Sequence, residues 1–314
     1  MIVAKCPLRI SLCGGGSDLD SFLQKNKYGS VITFSSNIYC YISLFQDKYG
    51  YNKQKKFIIN YTKREEVDQI DDIINDIARE CLSYFNAEHL TLNFHSDVFS
   101  AGSGLASSSA YLLACIKAIT SHKKIDLTQQ ELCEHAIKIE RKFNPLTGLQ
   151  DIFGCAIGGF KRLNFCKEGE VSHQQLDSNG NFLKNFKIYL RPTGIRRKST
   201  SILCTLDNKK VEELLPVVEE MHHSIKSLDY VSFISAINKA WSLKKQVSPL
   251  ILKDSALKEM DKSLRNDPHV LAHRLCGAGN GGFFLIFKDR DCRSKSDNDI
   301  EISVSNNGVE LVEI

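Results

Sequence analysis

Ile2, Val3, Leu8, Ile10 and Leu12 are the apolar positions of an opening run over 2–13 that reads as a strand, with Pro7 marking an edge or a bend. Segments 31–35, 38–45 and 57–61, rich in Ile, Val, Tyr and Phe, predict further strands, and 90–95 a short one. A lysine-rich polar connection occupies 48–56. The period then changes. Val67, Ile70, Ile73, Ile74, Ile77 and Cys81 fall at helical spacing and predict a helix over 65–84. The apolar run over 110–119 is too long for a typical strand and predicts a helix over 108–120. Thr128 with Glu131 is a capping box, so the next helix begins there, with Leu132, Cys133, Ala136 and Ile137 on its apolar face. Residues 149–156 read as a short helix ended by Gly158 and Gly159, and 160–165 as a strand.

The second half is richer in helix. A strand over 186–191 precedes two helical stripes, Val211, Leu214, Leu215, Val218, His222 and Ile225, then Val231, Ile234, Ile237 and Trp241. A third helix is predicted over 254–265, a strand over 283–287, an exposed loop over 288–299, and weak strands over 300–304 and 309–312. No internal repeat is present. The mixture is α/β (α+β), and 314 residues predict two domains.

Composition narrows the function classes. A net charge of +4 is small and scattered, so no nucleic-acid partner is expected. The nearest basic cluster is Arg196-Arg197-Lys198. Eleven cysteines at irregular spacing, with no Cys-x-x-Cys pair, argue against a disulfide framework or zinc site and for a reducing, cytoplasmic location. The first residues lack the pattern of a signal peptide, and no apolar stretch approaches the ~20 residues of a membrane span, so no membrane partner is expected.

Candidate chemistry lies in the glycine loops. Gly102, Ser103, Gly104, Leu105 and Ala106 lead into Ser107, Ser108 and Ser109 at a predicted helix start. Unpaired N–H groups and the helix dipole favour an anion there. A serine-rich helix cap is the plain alternative. No Lys follows the second glycine, which excludes a Walker A loop, and Ser107 replaces the third glycine of a dinucleotide fingerprint. Glu140 projects from the buried face of its helix, or else lies wetted at the stripe's edge. Asp151 stands in a first helical turn, where the dipole stabilises negative charge.

Three loops stand in order: Gly14-Gly15-Gly16-Ser17-Asp18, then 102–110, then Cys276-Gly277-Ala278-Gly279-Asn280-Gly281-Gly282. This order resembles the GHMP small-molecule kinases. Pro7-Leu8-Arg9-Ile10-Ser11 looks like their substrate-side strand, and 102–109 like their phosphate loop, with Ala106 where glycine is usual; the alanine implies a negative φ at that position. Together with Gly148-Leu149-Gln150-Asp151 and Thr193-Gly194-Ile195-Arg196-Arg197, the match is similar to the sugar-phosphate kinases acting on D-glycero-D-manno-heptose 7-phosphate; fucokinase kinase domains look similar too.

The resemblance implies a ribosomal protein S5 domain 2-like domain over 1–168 and a ferredoxin-like domain over 169–314. It implies ATP and Mg2+ as cofactors, a small-molecule sugar phosphate as partner, and a role in nucleotide-activated heptose for surface polysaccharide; a monomer or homodimer is expected. Residues 102–109 would hold the ATP phosphates, Ser108 and Glu140 the metal, Asp151 the hydroxyl proton, and Arg9 would orient Asp151. Gly15, Gly16, Ser17, Asp18, Thr193, Gly194, Arg196, Arg197, Gly277, Ala278 and Gly279 would face the substrate. Two alternatives stay open: a kinase for a free sugar such as fucose or galactose, and a non-catalytic ATP- and sugar-binding relative.

Overall fold

In a computed structural model of the protein, which describes residues 1–47, 49, 56–98, 102–177, 181–195 and 200–313, the opening apolar run forms β1 (Ile2–Cys13). Arg196, Arg197, Lys198 and most of the 48–56 connection lie outside the described residues. Every β1 residue from Cys6 to Cys13 is buried, which is why the run is continuous rather than alternating. Then come α1 (Asp20–Asn26), β2 (Tyr28–Phe45), β3 (Phe57–Asn60), β4 (Arg64–Val67), α2 (Asp76–Tyr84) and β5 (Thr91–Ser96). Helices α3 (Ser107–His122), α4 (Gln129–Phe143) and α5 (Leu149–Ala156) lead to the hairpin β6 (Phe160–Cys166) and β7 (Val171–Gln175). The second half comprises β8 (Phe186–Pro192), α6 (Thr200–Leu203), α7 (Asn208–Glu212), α8 (Leu215–Lys226), α9 (Tyr230–Val247), α10 (Ser255–Asn266), β9 (Val270–Leu275), β10 (Phe283–Asp289), β11 (Ile300–Ile302) and β12 (Glu310–Val312).

Two sheets result. The first runs β12-β1-β2-β5-β3-β4, with β6 on the other reach of β2 and β7 beyond it; the second runs β11-β8-β10-β9. Counted from β8, the second sheet has the order four, one, three, two and is antiparallel throughout, as a ferredoxin-like sandwich requires. The chain therefore has the two-lobed mixed α/β architecture expected of it. Residue 168 falls in the turn between β6 and β7, and β12 returns to pair with β1, so both flanks of the second sheet are tied to the first. Helices α3 and α5 pack on β1, and α9 reaches the same strand from the second half. An aromatic chain joins the two sheets: Phe160 of β6 meets Phe233 of α9 at 6.5 Å, and Phe233 meets Phe287 of β10 at 6.0 Å. Among the described residues no helix is long and apolar enough to cross a membrane.

Several elements depart from their sequence patterns. The helix expected over 65–84 is β4, a single 3-10 turn at Ile70–Asp72, and α2. The buried Glu65 carboxylate accepts from Ile74 N at 2.6 Å and Asn75 N at 3.0 Å, fixing a turn inside the apparent period, and Asn75 then caps α2. The strands expected over 31–35 and 38–45 are one strand of 18 residues. The polar Asn37 between them is an exposed edge position whose backbone and side chain pair with Ser303 at 3.0 and 2.8 Å. The stripe over 211–225 divides into α7 and α8, with Pro216 in the first turn of α8, where its missing N–H costs nothing. In α9 the buried face carries Phe233, Ile237, Trp241, Lys244 and Val247, whereas Val231 is 82% exposed. Both reciprocal bonds of the Thr128–Glu131 capping box form.

Ala106 corrects the backbone expectation. It has φ +62° and ends the loop in the left-handed conformation that glycine adopts without penalty. Alanine in that region is strained by about 1 kcal/mol. Ala106→Gly is therefore expected to leave stability unchanged or raise it by up to about 1 kcal/mol, because the glycine's unfolded-state entropy offsets part of the relief. Urea denaturation checks this; a loss of more than about 1 kcal/mol would show that the alanine methyl group contributes packing the φ argument omits.

Candidate active site

Three glycine loops converge on one cleft of about 320 Å3 between the two sheets. Gly15, Gly16 and Asp18 line it from the first loop, Gly102 to Gly104 and Ala106 to Ser109 from the second, Gly277 and Ala278 from the third. Between them stand Arg9 from β1, Glu140 from α4 and Asp151 from α5. The second and third loops touch directly. A Cβ on Gly282 would lie 2.1 Å from the Ser103 carbonyl oxygen, so only glycine allows that approach.

Arg9 is the hub. Register shifts in the β1–β2 pairing fall between Pro7 and Arg9 and between Ser11 and Cys13, so the bend signalled by Pro7 re-aims this stretch at the cleft. The Arg9 guanidinium is 3% exposed. Its Nε and Nη2 donate to Asp151 Oδ1 at 2.9 and 2.6 Å, and Nη1 donates to the Gly104 carbonyl at 2.9 Å. Both bonds to Asp151 fall on Oδ1, which leaves Oδ2 to meet a ligand; the carboxylate is 31% exposed in the cleft.

Two further carboxyls share the site. Glu140 is buried and accepts from Ser109 Oγ at 2.8 Å through Oε2. Burial, then the charge of Asp151, pushes its pKa up to about 7, against the pull of bonds from Ser109, Asn144 and Thr147. The apolar stripe of α4 thus buries Glu140 rather than leaving it wetted. Asp18 accepts from Gly16 N and from Gln150 N, both at 3.1 Å, tying the first loop to α5. Burial, then Asp151, pushes Asp18 up to about 6. A cation beside Glu140 would restore its ionised form. One buried carboxylate flanked by hydroxyls at the start of α3 suits a hard ion that would complete its shell with other oxygens. Among the described residues no group of three or more His, Cys, Asp and Glu is placed to hold a metal ion.

Not every expected residue lines the cleft. Ser17 lies beneath the first loop, donating to the Gly14 carbonyl at 2.8 Å, and Leu105 is buried in the core. Thr193, through both N and Oγ1, holds the Gly282 carbonyl at 2.9 Å, while Gly279 backs onto Ile251; these two and Gly194 lie outside the lining. Arg196 and Arg197 lie outside the described residues. Ser108 is an exposed lining residue, and the serine that meets Glu140 is Ser109. Ser11 and Gln150, quoted in motifs but given no role of their own, also line the cleft, as do Asn144, Thr147 and Lys244, which the sequence did not single out. Lys244 carried a readable signal: it stands three residues after Trp241, within the buried stripe of α9.

The chain is similar to known proteins in sequence and fold. Residues 72–159 match the family described as the GHMP kinases N terminal domain. Over 318 residues the chain is 26% identical to a D-glycero-alpha-D-manno-heptose 7-phosphate kinase of Campylobacter jejuni subsp. jejuni serotype O:2, covering 92% of this chain and 89% of that protein. The fold is shared with a D-glycero-D-manno-heptose 1-phosphate kinase from Bacteroides thetaiotaomicron, at TM-score 0.75 and 18% identity, over 100% of this chain and 99% of that one. It is shared equally with Lactococcus lactis galactokinase complexed with galactose, at TM-score 0.75 and 13% identity, over 98% and 94% of the two chains.

The Glu140 environment has a measurable consequence. Its native pKa of about 7 lies above the ordinary 4.5, so between those values the folded chain keeps a proton that the unfolded chain has released. Stability should then fall as pH rises from 4.5 to about 7. Glu140→Gln should remove on the order of 3 kcal/mol of that fall, leaving the smaller slope that Asp18 contributes in the same direction. Urea titrations in metal-free buffer at the two ends of this range read it directly. An unchanged slope would mean that Glu140 ionises freely.

Proposed function

We propose that the chain is a GHMP kinase, a reading supported by the match of residues 72–159 to the N terminal domain of that family, and that it transfers the γ-phosphate of ATP to the anomeric (C1) hydroxyl of D-glycero-D-manno-heptose 7-phosphate. The product would be the 1,7-bisphosphate, a precursor for nucleotide-activated heptose and surface polysaccharide. One observation carries the chemical part of this reading: a single buried guanidinium fixes both the Asp151 carboxylate and the Gly104 carbonyl of the phosphate loop. Phosphoryl transfer needs acceptor and phosphate held in line, and a proton acceptor at that line.

Each group has a part. The start of α3, preceded by Gly102, Ser103, Gly104, Leu105 and Ala106, offers backbone N–H groups to the ATP phosphates. The acceptor hydroxyl oxygen forms the new bond to the γ-phosphorus as the bond to the bridging oxygen of ADP breaks. Asp151 Oδ2 receives the hydroxyl proton, and Arg9 on Oδ1 keeps the carboxylate oriented. Glu140, with a serine of 107–109, would hold Mg2+, which when bound offsets phosphate charge. Asp18, Gly15 and Gly16 face the acceptor side, where Asp18 accepts from sugar hydroxyls. Arg196 and Arg197 are proposed as contacts of the sugar's phosphate, since guanidinium groups pair with phosphate oxygens in a fork.

The 7-phosphate assignment is supported by the Campylobacter relative, whose name carries that substrate and whose sequence aligns over nearly the whole chain. A panel of sugars and sugar phosphates with Mg-ATP, followed by ADP release, tests it: the heptose 7-phosphate should give the highest kcat/KM. A higher value for fucose or galactose would replace it with a free-sugar kinase, and ADP release with none of them would favour a binding protein. Asp151→Asn should lower kcat by about 100- to 10,000-fold while ATP binding persists. Near-normal turnover would remove Asp151 as the base.

A further inference from the structure

Gly15 is the one glycine of the first loop that the backbone does not demand. Gly14 and Gly16 on either side have φ of +86° and +101°, in the left-handed region that favours glycine. Gly15 does not share that conformation, and a Cβ built on it would meet its nearest neighbours at ordinary van der Waals distance. Those neighbours are the Gln150 side-chain nitrogen at 3.4 Å, Ser11 Oγ at 3.6 Å and Gln150 Oε1 at 3.8 Å. The missing side chain therefore leaves a space that neither the turn nor the packing requires. Gly15, Ser11 and Gln150 all line the cleft.

The atoms that border this space are unsatisfied. Ser11 is 5% exposed and its Oγ has no hydrogen-bond partner, and the buried Oε1 of Gln150 has none either. Buried polar atoms without partners are costly and uncommon. Each also adjoins the Arg9–Asp151 pair. Ser11 follows Arg9 by two positions in β1, and the pairing with β2 is regular from Arg9 opposite Ser35 to Ser11 opposite Thr33, so both side chains leave the strand on one face. Gln150 precedes Asp151 in α5, and its backbone N–H donates to Asp18 Oδ2 at 3.1 Å. A ligand hydroxyl in the space beside Gly15 can donate to Oε1 while accepting from the Ser11 hydroxyl, so one group satisfies both. An ionised phosphate or carboxylate oxygen has no proton for the amide oxygen, so the chemistry selects a hydroxyl. Asp151 meets the reacting hydroxyl, which makes this one a second hydroxyl of the same acceptor.

We infer that Ser11, Gln150 and the space left by Gly15 form a recognition site for a non-reacting hydroxyl of the acceptor, and that this contact turns the acceptor so that its reacting hydroxyl faces Asp151. This rests on the kinase reading above and holds whether or not the acceptor carries a phosphate.

Steady-state kinetics test it with D-glycero-D-manno-heptose 7-phosphate, a set of analogues each lacking one non-reacting hydroxyl, and ATP. If the sugar panel favours a free sugar, the same comparison runs on that sugar and its deoxy analogues. With wild-type enzyme one analogue should lose about 5- to 100-fold in kcat/KM, the weight of leaving buried partners unpaired, and the others far less. Ser11→Ala and Gln150→Met should each impose a loss of that order on the parent sugar and little further loss on that one analogue, because the contact is already gone. Gly15→Ala puts a methyl group in the space and should raise KM for the parent sugar by about 10-fold or more. KM for ATP should hold in all three variants, which also shows that they are folded. An even response to the analogues in wild-type enzyme, variant losses that multiply with every analogue, or a rise in the ATP KM in place of the acceptor KM overturns the site while leaving the kinase reading intact. Wild-type protein that releases ADP with no sugar overturns both.

Discussion

Arg9 is the contact on which the arrangement of the cleft depends. Its guanidinium is buried beside the interior of a bulged strand, a position that would be costly for a charge without partners. Asp151 supplies the counter-charge and Gly104 a neutral acceptor. The three groups come from β1, α5 and the loop before α3, so one side chain fixes the relative placement of strand, helix and glycine loop. The planar fork of arginine is what makes this possible: a lysine could offset the charge but could not hold both oxygens of a fixed geometry.

The electrostatics of the cleft follow from that hub. Asp151 stays paired, and its charge raises both neighbouring carboxyls, Glu140 and Asp18, each already raised by burial. A cleft of three carboxyls is poised to gain cations, which suits a reaction that brings in a divalent ion with a polyphosphate. The cost is a site that is less stable empty than filled, a common feature of functional clefts. The walls resist this strain. Phe160, Phe233 and Phe287 link the two sheets behind the cleft, and Gly282 lies against the Ser103 carbonyl in front.

Much of the fold was legible because its signals are local. The capping box of α4, the glycine-ended α5 and the continuous apolar run of β1 each need only a few neighbouring residues to specify them. The failures share a cause. Glu65 turns the chain by accepting from the Ile74 and Asn75 backbone, and Asn37 continues a strand by pairing with Ser303; apolar spacing registers neither a side-chain-to-backbone bond nor a partner 266 residues away. Ala106 keeps a left-handed φ because the loop around it demands that conformation, whatever the residue would choose alone.

For the site, the division is similar. The sequence by itself picked out groups that the fold then brings to one cleft: three glycine loops, a carboxylate on a buried stripe at Glu140, and another in a first helical turn at Asp151. Spacing along a helix or loop encodes such features directly. Only the tertiary structure decided the atoms and the further partners: both Arg9 bonds to Asp151 on Oδ1 with a third to the Gly104 carbonyl, Ser109 rather than Ser108 on Glu140, and Lys244 brought to the third loop. Those depend on strand register and on how α9 docks against β1. Both are set by packing across the whole core, and no short stretch of sequence contains them.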